Sequence, residues 1–327
     1  MVEPSSEVEL SQTLVYSTAL RTRFRGITLR DGVLVRGEAG WGEFSPFWDY
    51  DDAESSSWLR ATLESAHQGW PAPIRSHIPV NVTVPAVSGE RAREIVLNSG
   101  GCTTAKVKVA EPGQSVAQEI ERLEAVREAL GPDGAIRIDA NAAWDLDEAL
   151  RRLPLLDRAA GGLEYAEQPC ASVEDLAALR RRQSVPIAAD ESIRRAADPL
   201  AVKRAEAADV VVLKVQPLGG VRACLELAEA VGLPVVVSSA LESSFGIAAG
   251  LALAGALPEL RYACGLATVH LLEHDAATQP LLPVDGMLPV LRADELVPRP
   301  DLSAPGEIES QWVGRLARVS ALVEGAR

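Results

Sequence analysis

Short apolar segments alternate with amphipathic stretches from residue 78 to about residue 284. Eight of these segments are rich in Val, Ile, Leu and Ala, as parallel strands buried on both faces are: PVNVTVP, AKVKVA, AIRIDA, GLEYAE, PIAADE, DVVVLKV, PVVVSSA and RYACGLA. Between them lie stretches with helical spacing, such as SVAQEIERLEAVREAL and VEDLAALRRR. The alternation predicts an α/β chain with a (β/α) barrel. An open doubly wound sheet is disfavoured because its glycine-rich phosphate turn is missing.

The pattern differs before residue 78. Residues 8–44 alternate apolar and polar positions, and Asp31-Gly32 between two such runs predicts a hairpin turn. From about Asp52 the apolar residues Trp58, Leu59 and Leu63 have helical spacing. We therefore predict a small α+β domain at residues 1–77 and a barrel domain at residues 78–284. A tail, about residues 285–327, returns to complete the first domain.

Composition narrows the class of protein. The length of 327 residues suits a barrel with an additional domain, and the net charge of −14 argues against a nucleic-acid partner. The four cysteines are far apart, which is typical of reduced thiols in a cytoplasmic protein, and no leader segment opens the chain. The apolar stretch at residues 245–257 is too short to span a bilayer. We expect a cytoplasmic monomer or weak homo-oligomer that is not inserted in a membrane.

Five charged residues stand at the ends of consecutive apolar segments: Lys108, Asp139, Glu167, Asp190 and Lys214. The intervals between them are 31, 28, 23 and 24 residues, about the length of one βα unit. A charge at the end of a buried strand is costly unless it is paired or functional. We therefore expect these side chains to form one site at the carboxyl ends of the strands.

The lysines are candidates for acid–base chemistry. Lys106 and Lys108 are two residues apart and share one face of a strand. Repulsion and desolvation are expected to lower the pKa of both, which would make a neutral amine available near pH 7. Lys214 enters from the opposite side of the barrel. The alternatives are a solvated lysine pair on an edge strand and a structural ion pair for Lys214.

The three acids are candidate metal ligands. Oxygen ligands at three strand ends suit Mg²⁺, with Mn²⁺ as a substitute, and leave room for water and substrate. Taken singly, Asp139 and Asp190 are better explained as helix caps and Glu167 as a salt-bridge partner, whereas together, at matching strand ends, they favour a metal site. Asn141 follows Asp139 on the same face and is expected to support a ligand or the substrate.

Polar residues near two other strand ends are candidates for substrate binding. Ser238 and Ser239 precede a glycine turn and lack the G-x-S-x-G pattern of a nucleophile, so we expect them to bind a carboxylate. Gly219, just beyond Lys214, is included with them. The segment HLLEHD at residues 270–275 resembles a metal cluster but lacks the H-E-x-x-H spacing, and we predict no site there.

These features together resemble the enolase superfamily, whose members use a Lys or His base with Mg²⁺. The K-x-K of AKVKVA and the sixth-strand lysine are similar to the muconate-lactonizing-enzyme subgroup, and GWGEFSPF at residues 40–47 is similar to its capping-domain signature. The resemblance covers essentially the whole chain. It implies a modified (β/α)7β TIM-type barrel with an N-terminal α+β capping domain that closes over the barrel mouth. It also implies roles by position: Lys108 as general base, Lys106 as the neighbour that tunes it and contacts the substrate carboxylate, Lys214 on the other side of the substrate, and Mg²⁺ bound by Asp139, Glu167 and Asp190.

Within the subgroup the chain is most similar to the o-succinylbenzoate synthases. The chain is short, the segment SSALESSFGIAAGLALA resembles that family, and CGLATVH lacks the D-x-D pair typical of epimerases. The expected activity is a hydro-lyase step of menaquinone biosynthesis. It is the syn-dehydration of 2-succinyl-6-hydroxy-2,4-cyclohexadiene-1-carboxylate to 2-succinylbenzoate through an enediolate, with residues 18–26 and 47–50 closing the site. The alternatives are an N-acylamino acid racemase or dipeptide epimerase of the subgroup, and a non-catalytic barrel that binds a carboxylate.

Overall fold

The computed structural model describes residues 13–325, so the outermost residues of the two predicted terminal segments lie outside the described part. The N-terminal sheet is antiparallel, in the order β1 (Thr13–Phe24), β2 (Ile27–Gly37), β3 (Gly40–Phe44). Helix α1 (Asp52–Leu63) follows and ends in a π-helical turn, Glu64–Gln68. Asp51 and Glu54 form a capping box that fixes the start of α1 where its periodic pattern begins. The predicted α+β unit is confirmed.

The hairpin predicted at Asp31-Gly32 is wrong. β2 runs through both residues, and the chain reverses at Arg25-Gly26 instead. A β-carbon on Gly32 would lie 2.6 Å from the β-carbon of Ser45, so glycine is needed here for close backbone approach rather than for a turn. Asp31 Oδ1 accepts a hydrogen bond of 3.1 Å from Trp48 Nε1.

Eight parallel strands form the barrel, and they are the eight predicted segments. They are β4 (His77–Val84), β5 (Thr104–Lys108), β6 (Ala135–Asp139), β7 (Tyr165–Glu167), β8 (Ile187–Ala189), β9 (Val210–Leu213), β10 (Val235–Val237) and β11 (Cys264–Ala267). Neighbours in space are neighbours in sequence from β4 to β10, and β11 pairs with β4. A parallel bridge between Ser238 and Gly265 joins the ends of β10 and β11. This bridge closes the barrel.

Helices cover the barrel in all seven connections between its strands. They are α2 (Gly89–Leu97), α3 (Val116–Leu130), α4 (Leu146–Ala160), α5 (Val173–Arg180), α6 (Glu191–Arg194), α7 (Ala201–Arg204), α8 (Val215–Leu218), α9 (Val221–Val231) and α10 (Ser244–Ala256). In the described part of the chain, β11 leads only to a 3₁₀ turn, Val269–Leu271. β12 (Met287–Pro289) then pairs antiparallel with β4, and α11 (Gly306–Gly325) packs on α1. The (β/α)7β barrel is confirmed, while the domain bounds remain predictions.

Alternation along the strands separates two kinds of core. Val107 and Ile138 belong to the large core between strands and helices, whereas Tyr165 and Val212 belong to a small core inside the barrel. α10 is buried along nearly its whole length, and a β-carbon on Gly250 would lie 2.6 Å from the Leu266 side chain, so glycine allows close packing here. The four cysteines are free and buried. Among the described helices none has the length and apolar character that crossing a membrane requires.

Candidate active site

The predicted charges meet at the carboxyl ends of adjacent strands. In the parallel register Lys108 on β5 lies opposite Asp139 on β6, and Asp139 lies opposite Glu167 on β7. Asp190 and Lys214 follow directly after β8 and β9. Because the carboxyl ends of parallel strands share one edge, this register brings side chains that are far apart in sequence to the barrel mouth. The three carboxylates are buried, with exposed fractions of 1% or less.

Every carboxylate of this group contacts a lysine. Lys108 Nζ lies 2.5 Å from Asp139 Oδ2, and Lys214 Nζ lies 2.6 Å from Asp190 Oδ2. Lys106 Nζ lies 2.9 and 3.1 Å from the two carboxylate oxygens of Glu167 and 3.4 Å from Asp139 Oδ2. The three ammonium groups therefore lie against a layer of buried, negatively charged carboxylates. The ion-pair alternative for Lys214 is observed, and it is compatible with a place in the site.

The electrostatics correct one expectation. Burial by itself lowers the pKa of Lys106, but the charges of Glu167 and Asp139 outweigh it and hold that pKa above its ordinary value. The predicted lowering of the Lys106 pKa is therefore wrong, because the sequence shows the like charge two residues away and not the two acids opposite. Burial and the neighbouring Asp139 charge raise the pKa of Glu167 to about 7. Lys108 and Lys106 outweigh burial and hold the pKa of Asp139 well below its ordinary range.

The donor set of three buried carboxylates fits a hard divalent cation, and in this structure each of these carboxylates contacts a lysine ammonium group. In residues 13–325 no three acidic, His or Cys side chains form a ready-made metal cluster, including the HLLEHD segment. Burial, and then the charge of Asp139, raise the pKa of Glu167, and a cation bound between these carboxylates would favour their ionised forms. Asp190 stands at the start of α6, yet its side chain forms no capping bond, so the helix-cap alternative fails for it. Binding a cation would require the ammonium groups to exchange their carboxylate contacts.

Asn141 joins the site as predicted from its spacing. Its Oδ1 accepts a hydrogen bond of 2.7 Å from Lys108 Nζ, and its backbone N–H donates to Asp139 Oδ1 at 3.0 Å. Its Nδ2 lies 3.4 Å from Glu191 Oε1. Asn141 adopts φ +45°, a conformation that Asn tolerates better than most residues, so the turn aims its amide back at the lysine.

The three remaining candidates have different surroundings. Ser238 is buried and continues the inward-facing row of β10, and Ser239 Oγ lies 2.8 Å from Thr268 Oγ1. Both serines therefore lie at the barrel mouth. Gly219 ends α8 with φ +91°, and a β-carbon there would lie 3.8 Å from Arg60 Nε on α1. It thus faces the N-terminal domain, and no contact joins it to the charged group.

Comparison with known proteins identifies the family. The Enolase C-terminal domain-like family matches residues 88–298, and the Enolase N-terminal domain-like family matches residues 15–66. The o-succinylbenzoate synthase of Thermobifida fusca is 63% identical over 94% of this chain and 96% of its own. The chain belongs to the o-succinylbenzoate synthase family. A second relative, the o-succinylbenzoate synthase of Mycolicibacterium smegmatis, is 50% identical over 98% of each chain.

Solved structures support the same fold for this o-succinylbenzoate synthase family member. The L-Ala-D/L-Glu epimerase from Bacillus subtilis has a TM-score of 0.73 at 22% identity, covering 88% of this chain and 96% of its own. A muconate lactonizing enzyme from Pseudomonas fluorescens has a TM-score of 0.74 at 23% identity, covering 92% and 97%. At this identity the likeness shows the fold alone. The superfamily match also makes this a divalent-metal-dependent family.

Two further side chains lie at the site of this o-succinylbenzoate synthase family member: Phe24, within the segment 18–26 predicted to close it, and Arg194, which was missed. The ring of Phe24, at the end of β1, lies 5.5 Å from Lys108 Nζ. Arg194 bonds Asp190 Oδ1 at 2.9 Å and the hydroxyl of Tyr50 at 2.7 Å, and so links a strand end to the N-terminal domain. The spacing of four residues between Asp190 and Arg194 on a helix was a usable signal.

Lysine usage was a second missed signal. The chain has four lysines, and three of them, Lys106, Lys108 and Lys214, stand in this site. The other basic side chains, apart from exposed Lys203, are arginines. Lysine can lose its proton when its surroundings change, while arginine keeps its charge, so this selective use agrees with acid–base chemistry in the o-succinylbenzoate synthase family.

The N-terminal domain contacts the barrel domain at Ser243, the residue just before α10. Glu43 on β3 accepts hydrogen bonds from the Ser243 hydroxyl at 2.5 Å and from the Gly246 N–H at 2.9 Å, at the start of α10. The Tyr16 hydroxyl donates to the same carboxylate at 2.7 Å. An internal carboxylate therefore already occupies this helix N-terminus, where negative charge is favourable. The hydroxyl of Ser243 therefore serves the contact between the two domains.

Proposed function

We propose that this protein is a hydro-lyase that converts 2-succinyl-6-hydroxy-2,4-cyclohexadiene-1-carboxylate to 2-succinylbenzoate in menaquinone biosynthesis. The observation that supports this most strongly is the buried group of three lysines and three carboxylates at the barrel mouth, in a chain of the o-succinylbenzoate synthase family. We also propose a cytoplasmic protein with a small-molecule carboxylate substrate, active as a monomer or weak homo-oligomer.

Lys108 is proposed as the general base. Its side chain is partly accessible, with 16% of its surface exposed, while that of Lys106 is 7% exposed. Lys108 is therefore the lysine of the pair that a substrate reaches from the mouth. In its neutral form the Nζ takes the proton alpha to the ring carboxylate. The resulting ammonium then assists loss of the β-hydroxyl on the same face, which accounts for a syn-dehydration.

Lys106 and Lys214 are proposed to stabilise the enediolate. Lys214 follows β9, which lies across the barrel from β5, and we propose that the ammonium groups of Lys106 and Lys214 flank the substrate. Fixed positive charges in a buried site stabilise developing negative charge more than they would in water. Asp139, Glu167 and Asp190 would hold Mg²⁺, or Mn²⁺, which supplies Lewis-acid stabilisation of the carboxylate oxygens when bound.

The rest of the mouth is proposed to orient the substrate and exclude water. Phe24 covers Lys108 with an apolar ring, which keeps bulk water from the base when the site is closed. Ser238 and Ser239 are proposed to bind a substrate carboxylate through hydroxyl or backbone donors. Asn141 holds the Nζ of Lys108 in place. Gly219 is kept as a weaker proposal because it faces α1.

Lys108→Ala tests the assignment. With Mg²⁺ present, we expect the wild type to form the aromatic product, followed by ultraviolet absorbance, and the variant to lose at least about 10³-fold in kcat, at the upper part of the range for a missing general base. Lys203→Ala is the matched control, because Lys203 is exposed and its ammonium group bonds the Ala230 carbonyl, away from the barrel mouth. It should keep wild-type activity. No product from the wild type would overturn the function, and near wild-type activity of Lys108→Ala would overturn the role.

A further inference from the structure

Two buried polar residues on α3 face the end of β5. Glu119 and Arg122 are one helical turn apart, and both have an exposed fraction of 0%. Neither touches the carboxylates or lysines at the barrel mouth in any contact described above. Arg122 instead bonds the backbone carbonyl of Lys108, and Glu119 bonds the backbone N–H of Ala110, two residues further along the chain.

Arg122 bonds three neutral oxygens. Its Nε donates to the Val87 carbonyl at 2.6 Å, one Nη donates to the Lys108 carbonyl at 2.8 Å, and the other donates to the side-chain oxygen of Gln114. Within residues 13–325 the hydrogen bonds of the Arg122 guanidinium go to neutral oxygens, and burial lowers its pKa, which the charge of Glu119 only partly offsets. Burying a guanidinium without a paired carboxylate is costly, so simple packing of α3 on the barrel does not account for it.

Glu119 completes the set of bonds. One of its carboxylate oxygens accepts from the Ala110 N–H at 2.6 Å, and the other accepts from Arg152 at 2.9 Å. The N–H of the intervening Val109 donates to the Asp139 carbonyl at 3.1 Å. Three consecutive residues are therefore fixed by three bonds, two of them from α3. Ala110 has φ +61°, an unfavourable conformation for alanine that the Glu119 bond helps to hold.

We propose that Arg122 and Glu119 are positioning residues for Lys108. They fix the carbonyl of Lys108 and the backbone just beyond it, so that the side chain leaves β5 in one direction and its Nζ stays aligned with the proton it removes. A displacement of about 1 Å in such an alignment costs on the order of 100-fold in rate. This inference rests on the proposed function of Lys108 as general base.

The same helix supplies a matched control. Arg127 also lies on α3 and also bonds backbone carbonyls: Ala160 at 2.6 Å, Gly131 at 2.8 Å and Gly134 at 2.6 Å. These carbonyls precede β6 and β7, at the opposite end of the barrel from Lys108. Both arginines therefore bond backbone carbonyls of the barrel. Of the two, only Arg122 contacts the strand end that bears the proposed base, Lys108.

The test compares Arg122→Lys and Arg122→Gln with Arg127→Lys and Arg127→Gln. Each is assayed for kcat, KM, thermal unfolding and the isotope effect on kcat with substrate deuterated at the carbon that loses its proton. We expect Arg122→Gln to lower kcat about 10- to 100-fold with KM within about twofold, Arg122→Lys to recover part of it, and the isotope effect to rise as proton removal becomes limiting. Both Arg127 variants should keep kcat and the isotope effect.

Equal effects at the two positions, or wild-type kcat and isotope effect in the Arg122 variants, would overturn the proposal. Should Arg122→Gln fail to fold, the pair of Lys variants decides, because lysine keeps the charge and reaches one of the three oxygens. Absence of product from the wild type itself is a different result, since it rejects the proposed function and leaves no base to position.

Discussion

Glu242 is expected to make the stability of this protein fall as pH rises. It lies in the loop between β10 and α10, is 1% exposed, and has one carboxylate oxygen without a partner in the described structure. Burial, and then the charge of Glu43, raise its pKa from the ordinary 4.5 to about 7, against the opposing charge of Arg30. The folded protein therefore keeps a proton on Glu242 that the unfolded chain releases.

The sign and size of the effect follow from linkage. Between about pH 4.5 and pH 7 the unfolded chain binds fewer protons than the folded protein, so the free energy of unfolding decreases with increasing pH in that window. The contribution of Glu242 is favourable below both pKa values and is lost as pH rises. For pKa values of about 4.5 and 7, the loss between pH 5 and pH 8 is about 2.5 kcal/mol.

Glu242→Gln isolates this contribution, because glutamine has the same shape and does not titrate. Urea unfolding of wild type and variant at pH 5 and pH 8 should show the variant gaining about 2.5 kcal/mol over the wild type between the two pH values. Other titrating groups are common to both proteins and cancel in the difference. A constant difference across this range would refute the reasoning, and so would a variant that loses stability relative to wild type as pH rises.

Two further predictions concern the domain contact and the metal. Glu43→Ala leaves the buried donors of Ser243 and Gly246 unpaired and should lower the free energy of unfolding by about 3 kcal/mol or more, while exposed Glu38→Ala should change it by less than about 0.5 kcal/mol. Equal losses in urea unfolding would contradict this. Mg²⁺ at 100 times its Kd should stabilise the wild type by about 2.7 kcal/mol in thermal unfolding and should not stabilise Glu167→Gln. An identical shift in that variant would remove Glu167 from the metal site.

The barrel and its charged site could be predicted because a charged side chain is costly to bury. A charge within an apolar sequence therefore indicates where a buried strand ends. A lysine or acid at the end of a Val-rich segment has few low-cost positions, so Lys108 and Asp139 indicated strand ends and a shared edge. The register then followed from the rule that parallel strands keep their carboxyl ends together. The Asp31-Gly32 turn failed because glycine also serves close backbone approach, which needs a neighbour the sequence does not show.

The remaining errors share one physical origin, namely contacts between residues remote in sequence. The pKa of Lys106 depends on Glu167, 61 residues away, more than on the lysine two residues away. The contact between Glu43 and Ser243 joins residues 200 apart. Local patterns report the face and the element of a residue. They do not report which side chain from another strand or domain will stand opposite it.

The concentration of lysine in one site has a practical consequence for chemical labelling. Reagents that modify side-chain amines meet an exposed Lys203 on α7, a partly accessible Lys108, and two lysines buried at the barrel mouth. Every lysine that a reagent modifies, apart from Lys203, is thus a residue of the proposed reaction. Replacing Lys203 with arginine leaves a protein whose only lysine side chains are those of the barrel mouth. In that variant, any lysine side chain that an amine-directed probe or crosslinker modifies belongs to the barrel mouth.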